Sequence, residues 1–165
     1  MIDGTPPPEF EYLFARNPEI VKYPNDVLRT IAASVENVDS DIKKIIKKMR
    51  DILLSTSGIG LAAPQIGVSK RIIYVDSRVI VNPEIVHIGR LNTISQEGCL
   101  SVPGLWGEVL RSSEIKLTGL NHKGENLILN LIGREAIIAQ HEIDHLDGIM
   151  FFDKANPSSL RWEHP

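Results

Sequence analysis

Two histidines four residues apart, His141 and His145, share one face of any helix that carries them, because that spacing stacks one side chain a turn above the other. Both imidazoles can then reach a single metal ion. Glu142 follows the first histidine directly, so its carboxylate can flank the ion without binding it. Gln140-His141-Glu142-Ile143-Asp144-His145 is thus an HExxH motif, in which a metal polarises a water and a carboxylate takes its proton. Two histidines and a glutamate also occur on surface helices that hold no metal, and the motif alone does not separate the two readings.

A third ligand separates them. Downstream of His145 the chain offers Asp147, Asp153, Glu163 and His164, with no metzincin spacing. Upstream stands its one cysteine, Cys99, in Gln96-Glu97-Gly98-Cys99-Leu100-Ser101. A lone cysteine cannot form an internal disulfide, so it is a small buried hydrophobe, a nucleophile or a ligand. Gly98 and Pro103 put it where the backbone bends, an odd place for simple core filling. One thiolate and two imidazoles leave a fourth tetrahedral position open to water, the arrangement of a catalytic metal.

A further segment, Gly58-Ile59-Gly60-Leu61-Ala62-Ala63-Pro64-Gln65, leaves its backbone open to close approach and ends in an uncharged amide donor. It also reads as a helix terminus followed by a tight turn, with Gly58 as the stop.

In this order the three motifs resemble those of the peptide deformylases, over about residues 20–153. The resemblance implies a hydrolase that removes the formyl group from the N-terminal formyl-methionine of new polypeptides with one divalent metal. It implies Cys99, His141 and His145 as ligands and Glu142 as general acid/base to a metal-bound hydroxide. Gln65 and the backbone N–H of Leu100 would form the oxyanion hole, and Gly60 would meet the substrate through its main chain. Ile59, Arg134, Ile137, Ile138 and Trp106 would border the substrate. Fe(II) is the expected ion in the cell, with Zn, Ni or Co able to replace it in purified protein.

The chain departs from the resemblance in places. Relatives commonly carry large apolar residues where Arg134 and Glu135 stand, and often an arginine where Ile137 stands. A charge at the rim of the methionine pocket would alter side-chain preference. Trp106 stands near a position where some relatives hold the peptide with an arginine; its indole would pack along a peptide or fill the core. The short tail after residue 153 lacks a basic extended helix, so docking on the ribosome is not expected.

The elements that must position these residues can be sketched from pattern. Residues 1–18 read as a flexible, proline-rich arm, 19–153 as a single catalytic domain and 154–165 as a tail with at most one helical turn. Asn25 or Asp26 caps a short helix over 27–31. The clearest helix covers 41–56, where Ile42, Ile45, Ile46, Met49, Ile52 and Leu53 form one apolar face; Asp39 or Ser40 is its cap. Its basic residues Lys43, Lys44, Lys47, Lys48 and Arg50 form a solvated face or a dock for an anionic partner. Strands are expected over 71–76, 79–88, 106–111 and 114–120, with Asn82-Pro83 a break or edge. Asn121-His122-Lys123-Gly124 is a turn, after which Leu127, Leu129 and Leu131 alternate. The metal helix covers 134–146 and stops at Gly148. The expected class is α+β, with mixed or antiparallel sheets packed around a central metal-binding helix and a helical N-terminal part. Glu97 is expected to hold neighbouring groups, with Arg111 as salt partner, while His87, His122 and His164 belong on the surface.

Composition sets outer limits. At 165 residues and 42% hydrophobic the chain can bury a sizeable core. A net charge of −3 argues against general nucleic-acid binding, and no apolar run is long enough for a membrane span. A single reduced cysteine suits the cytosol, an organelle stroma being the other reading. A closed metal-storage site and a metallopeptidase are the competing functions; the first has no need of Gln65 and Glu142.

Overall fold

A computed structural model describes residues 4–164. In chain order the elements are α1 (Glu11–Phe14), α2 (Ser40–Leu54), β1 (Gly60–Ala62), β2 (Ile72–Val75), β3 (Arg78–Ile88), β4 (Asn92–Cys99), β5 (Val102–Ser112), β6 (Glu114–Leu120), β7 (Asn126–Ile132), α3 (Arg134–Leu146), α4 (Phe151–Lys154) and β8 (Arg161–Trp162). One sheet has the order β1-β2-β3-β6-β7 and a smaller one β4-β5-β8, with antiparallel pairing in both. The class is α+β. Among the described residues no helix is long and apolar enough to cross a membrane.

The five-stranded sheet is covered by helices on both faces at its β1–β3 end, and strand alternation divides its side chains between them. Leu61, Ile72, Tyr74 and Val81 join Ile42, Ile46, Met49, Ile52 and Leu53 of α2. Their neighbours Ala62, Ile73, Val75 and Ile80 join Ala136, Ile138, Ala139, Ile143 and Leu146 of α3. Double coverage explains why β2 is an unbroken apolar run, Ile-Ile-Tyr-Val, buried throughout. Asp39 caps α2 by accepting from the N–H groups of Asp41 and Ile42, each at 3.0 Å. The expected break at Asn82-Pro83 is a bulge inside β3. Asn82 adopts φ 50° and ties Val35 by two 2.8 Å hydrogen bonds, accepting from its N–H and donating to its carbonyl.

A third cluster, including Leu28, Val102, Leu105, Val109, Met150, Phe151 and Phe152, lies against the small sheet. Residues 8–14, within the stretch expected as a flexible arm, are helical and packed there. Phe10 and Leu13, three apart, are both buried, and Phe10 meets Trp162 and His164 through its ring. Residues 1–3 of that arm lie outside the described residues. The tail holds its helical turn at 157–159 and then β8, which pairs Leu105 with Trp162 and Trp106 with Arg161. Neither β8 nor β4 had a clear sequence signal. β4 reads Asn-Thr-Ile-Ser-Gln-Glu-Gly-Cys, too polar for a strand on its own, and long pairing with β5 makes it one.

A candidate metal centre

α3 lies along β1 and β2 and brings its histidine face against the end of β4. Cys99 closes β4 before the Leu100-Ser101 turn into β5, and its Sγ lies 3.2 Å from Nε2 of His145. One donor atom from each of Cys99, His141 and His145 falls within 4.8 Å of the others. Ligands at tetrahedral corners around a zinc-sized ion sit about 3.5 Å apart, so the three donor atoms lie close enough together to share one ion. The sulfur is held in its ligating, deprotonated form. Burial alone would push the Cys99 thiol up, but the two imidazoles, His145 foremost, hold it well below its ordinary range. His141 is correspondingly raised despite its burial, by Cys99 and Glu97, so an arriving ion displaces a proton from its ring.

The groups behind the ligands are anchored. Nδ1 of His141 is 2.8 Å from Oε2 of Glu97, which leaves Nε2 for an ion. Arg111 donates from Nε and Nη2 to Glu97 at 2.8 and 2.9 Å and from Nη1 to Asp144 at 2.6 Å. Lys154 of α4 pairs with the other oxygen of Asp144. Burial would raise the Glu97 carboxyl, yet Arg111 and His141 outweigh it and hold the group at about 2. Expectation for Glu97 and Arg111 stopped at a hydrogen-bonded pair. Asp144 and Lys154 carried no separate signal beyond Asp144 lying inside the HExxH segment. Gln140 was likewise missed as a brace: its amide donates to Ser112 and Ala136 carbonyls and accepts from Ser112 N–H, tying α3 to β5.

Glu142 is buried on the cluster side of α3, and its Oε2 has no hydrogen-bond partner among the described residues; Nδ1 of His145 is the other such atom. Burial pushes its carboxyl up to about 7, with the two histidines pulling the other way. An unpaired acidic oxygen beside three converging donors is what a metal-and-water site requires, and the residues present fit an ion. Gln65 lies in a helical turn over 63–66; its Oε1 accepts from Ala62 N–H at 2.8 Å, which aims Nε2 at Cys99 Sγ and Ser101 Oγ, 3.4 and 3.3 Å away. Gly60 fits only as glycine: a Cβ there would strike the Glu142 carboxylate and come within 2.7 Å of Ile138.

The remaining residues named from sequence are spread more widely. Leu100 is half-buried in the turn after Cys99, Ile138 is buried against Gly60, and Ile137 is half-buried one position earlier. Ile59 is 44% exposed just before β1. Trp106 is not drawn into the ligand cluster: it pairs with Gly98 in the β4–β5 ladder, its ring covering that glycine on the face opposite Glu97. Arg134 opens α3, largely exposed, 3.9 Å from Asp76, while Glu135 pairs with Arg78. His87, His122 and His164 are exposed.

The sequence model of the polypeptide deformylases matches residues 18–161. A peptide deformylase of Desulforudis audaxviator is 43% identical over 150 residues, 88% of this chain and 97% of that one. A Plasmodium falciparum peptide deformylase solved in complex with an inhibitor superposes with a TM-score of 0.81 at 42% identity, covering 84% of this chain and 90% of that one. The Thermotoga maritima peptide deformylase superposes with a TM-score of 0.81 at 37% identity, covering 84% and 97%. On motif order, architecture and identity across nearly all its length, the chain belongs to the polypeptide deformylase family.

Proposed function

We propose that this chain hydrolyses the formyl amide of N-terminal formyl-methionine in newly made polypeptides, releasing formate. The observation that carries the reading is a buried carboxylate, Glu142, whose Oε2 has no hydrogen-bond partner among the described residues, beside three converging ligand atoms in a chain of this family. A closed storage site would have paired that oxygen.

Cys99, His141 and His145 would hold one divalent ion, which when bound supplies the Lewis acidity that makes water deprotonable near neutral pH. Glu142 takes the proton of the attacking water and returns it to the departing amine, a shuttle worth about 10²–10⁴ in rate. Negative charge develops on the formyl oxygen, where Gln65 Nε2 and the Leu100 N–H donate; one such donor is worth about 10²–10³. The Ala62 bond to Gln65 Oε1 keeps that amide from turning its oxygen inward. Gly60 lets the substrate backbone approach β1. Glu97, set by Arg111, fixes the His141 ring.

Fe(II) is the ion assigned to the cell, and Zn, Ni or Co can occupy the same two-nitrogen, one-sulfur set. The cytosol or an organelle stroma is the compartment assigned, in keeping with the one free thiol. Protein purified under nitrogen should carry one ion per chain by elemental analysis, release formate from formyl-Met-Ala and leave acetyl-Met-Ala intact. If Fe(II) is the ion, activity falls on exposure to air, while a zinc-loaded sample holds. Full metal occupancy with no formate release would mean a structural site, and cleavage of internal peptide bonds would mean a peptidase.

A further inference from the structure

Arg134, Ile138 and Glu142 recur every four residues and so line one face of α3. Gly60 of β1 lies against the last two of them. The same strand and helix continue together toward Arg134. Ile59, 44% exposed, accepts through its carbonyl from Asp76 N–H at 2.8 Å, and the Asp76 carboxylate is 3.9 Å from the Arg134 guanidinium. Arg134 therefore stands about two turns before Glu142 on the same face of α3, about 12 Å along the helix from it and beside the segment that leads into β1.

Its charge is only loosely held, by Asp76. Among the described residues the Arg134 side chain makes no hydrogen bond, and 3.9 Å to Asp76 is beyond hydrogen-bonding reach. The adjacent Glu135 is engaged by Arg78. Two-thirds of the Arg134 side chain is exposed, leaving its five forked donors to solvent or to a peptide laid alongside α3. An extended peptide advances about 3.3 Å per residue, so a chain laid along α3 from a formyl group at Glu142 would reach Arg134 within its second to fourth residues.

We propose that Arg134 is a specificity-determining residue that selects peptides carrying a carboxylate shortly after the formyl-methionine. This inference rests on the deformylase reading. Asp76 competes for the same guanidinium, which keeps the preference modest, as expected of a partly exposed pair.

The test uses metal-loaded enzyme and formyl-Met tetrapeptides with Asp, Ala or Lys at the second, third or fourth position. The Asp-to-Lys ratio of kcat/KM for formate release should reach about 2- to 5-fold at one of these positions in low salt and shrink in 0.5 M salt, roughly the range of an exposed ion pair. The ratio should fall to one in Arg134→Leu, invert in Arg134→Glu and rise in Asp76→Asn. Non-hydrolysed acetyl peptides bound to metal-free protein should show the same order of affinities. An equal ratio in the unsubstituted enzyme and Arg134→Leu at all three positions, with formate released throughout, overturns the inference alone. Absence of formate from every peptide overturns the deformylase reading itself.

Discussion

Glu97 and Glu142 are both buried carboxylates bordering His141, yet their surroundings drive them to opposite ends of the carboxylate range. Glu97 receives two guanidinium N–H bonds and faces an imidazole; it stays ionised at about 2. Glu142 has an oxygen with no partner among the described residues and is pushed up to about 7. A fully bonded carboxylate holds its neighbours still and cannot give up its charge. An unsatisfied one costs the fold energy and is free to exchange a proton near neutral pH. The β4–β5 side of the site is built for position, and the α3–β1 side for chemistry.

Substitution by glutamine should separate the two sides. Glu142→Gln should cut kcat by about 10²–10⁴ while the ion remains bound by elemental analysis, and denaturant unfolding should show no loss of stability at pH 8. Retained activity would assign the proton to another group. Glu97→Gln should do the reverse. Leaving Arg111 with Asp144 alone should cost about 3–5 kcal/mol of stability at neutral pH, with some activity retained in metal-saturated protein.

The acid limb gives a finer contrast. The Glu97 carboxyl lies lower in the folded chain than its ordinary 4.5, so its contribution is present above that value and is lost as pH falls towards about 2. The metal-free protein should lose on the order of 3 kcal/mol across that window, and Glu97→Gln should flatten it. Smallest in free energy is the effect on the ion: Glu97→Gln should weaken metal binding by about 10–100-fold in competition with a chelator, because His141 loses its orienting bond. Unchanged affinity would mean that α3 packing alone sets the ring.

The chemistry was more legible than the scaffold, for reasons visible in single residues. His141, Glu142 and His145 announce themselves because helical spacing translates directly into a shared face. Cys99 could be joined to them from its solitude and its bend. The reach from Arg111 to Asp144, 33 positions along the chain, has no local signal, since only tertiary packing creates it. β4 is polar because its Ile94 side faces solvent, and a strand of that kind is recognisable only through its partner. Phe10 and Leu13 were hidden by the prolines before them, which open the helical turn at Pro8 rather than extend an arm.

β2 has a helix across each of its faces and strands at both sides, leaving it no wet surface. Its amides can reach solvent only when the whole domain comes apart, so it belongs to the slowest-exchanging part of the chain. A peptide must then enter, and formate leave, at the exposed perimeter, while the buried strand keeps β1 and the histidine helix at a constant separation through every turnover.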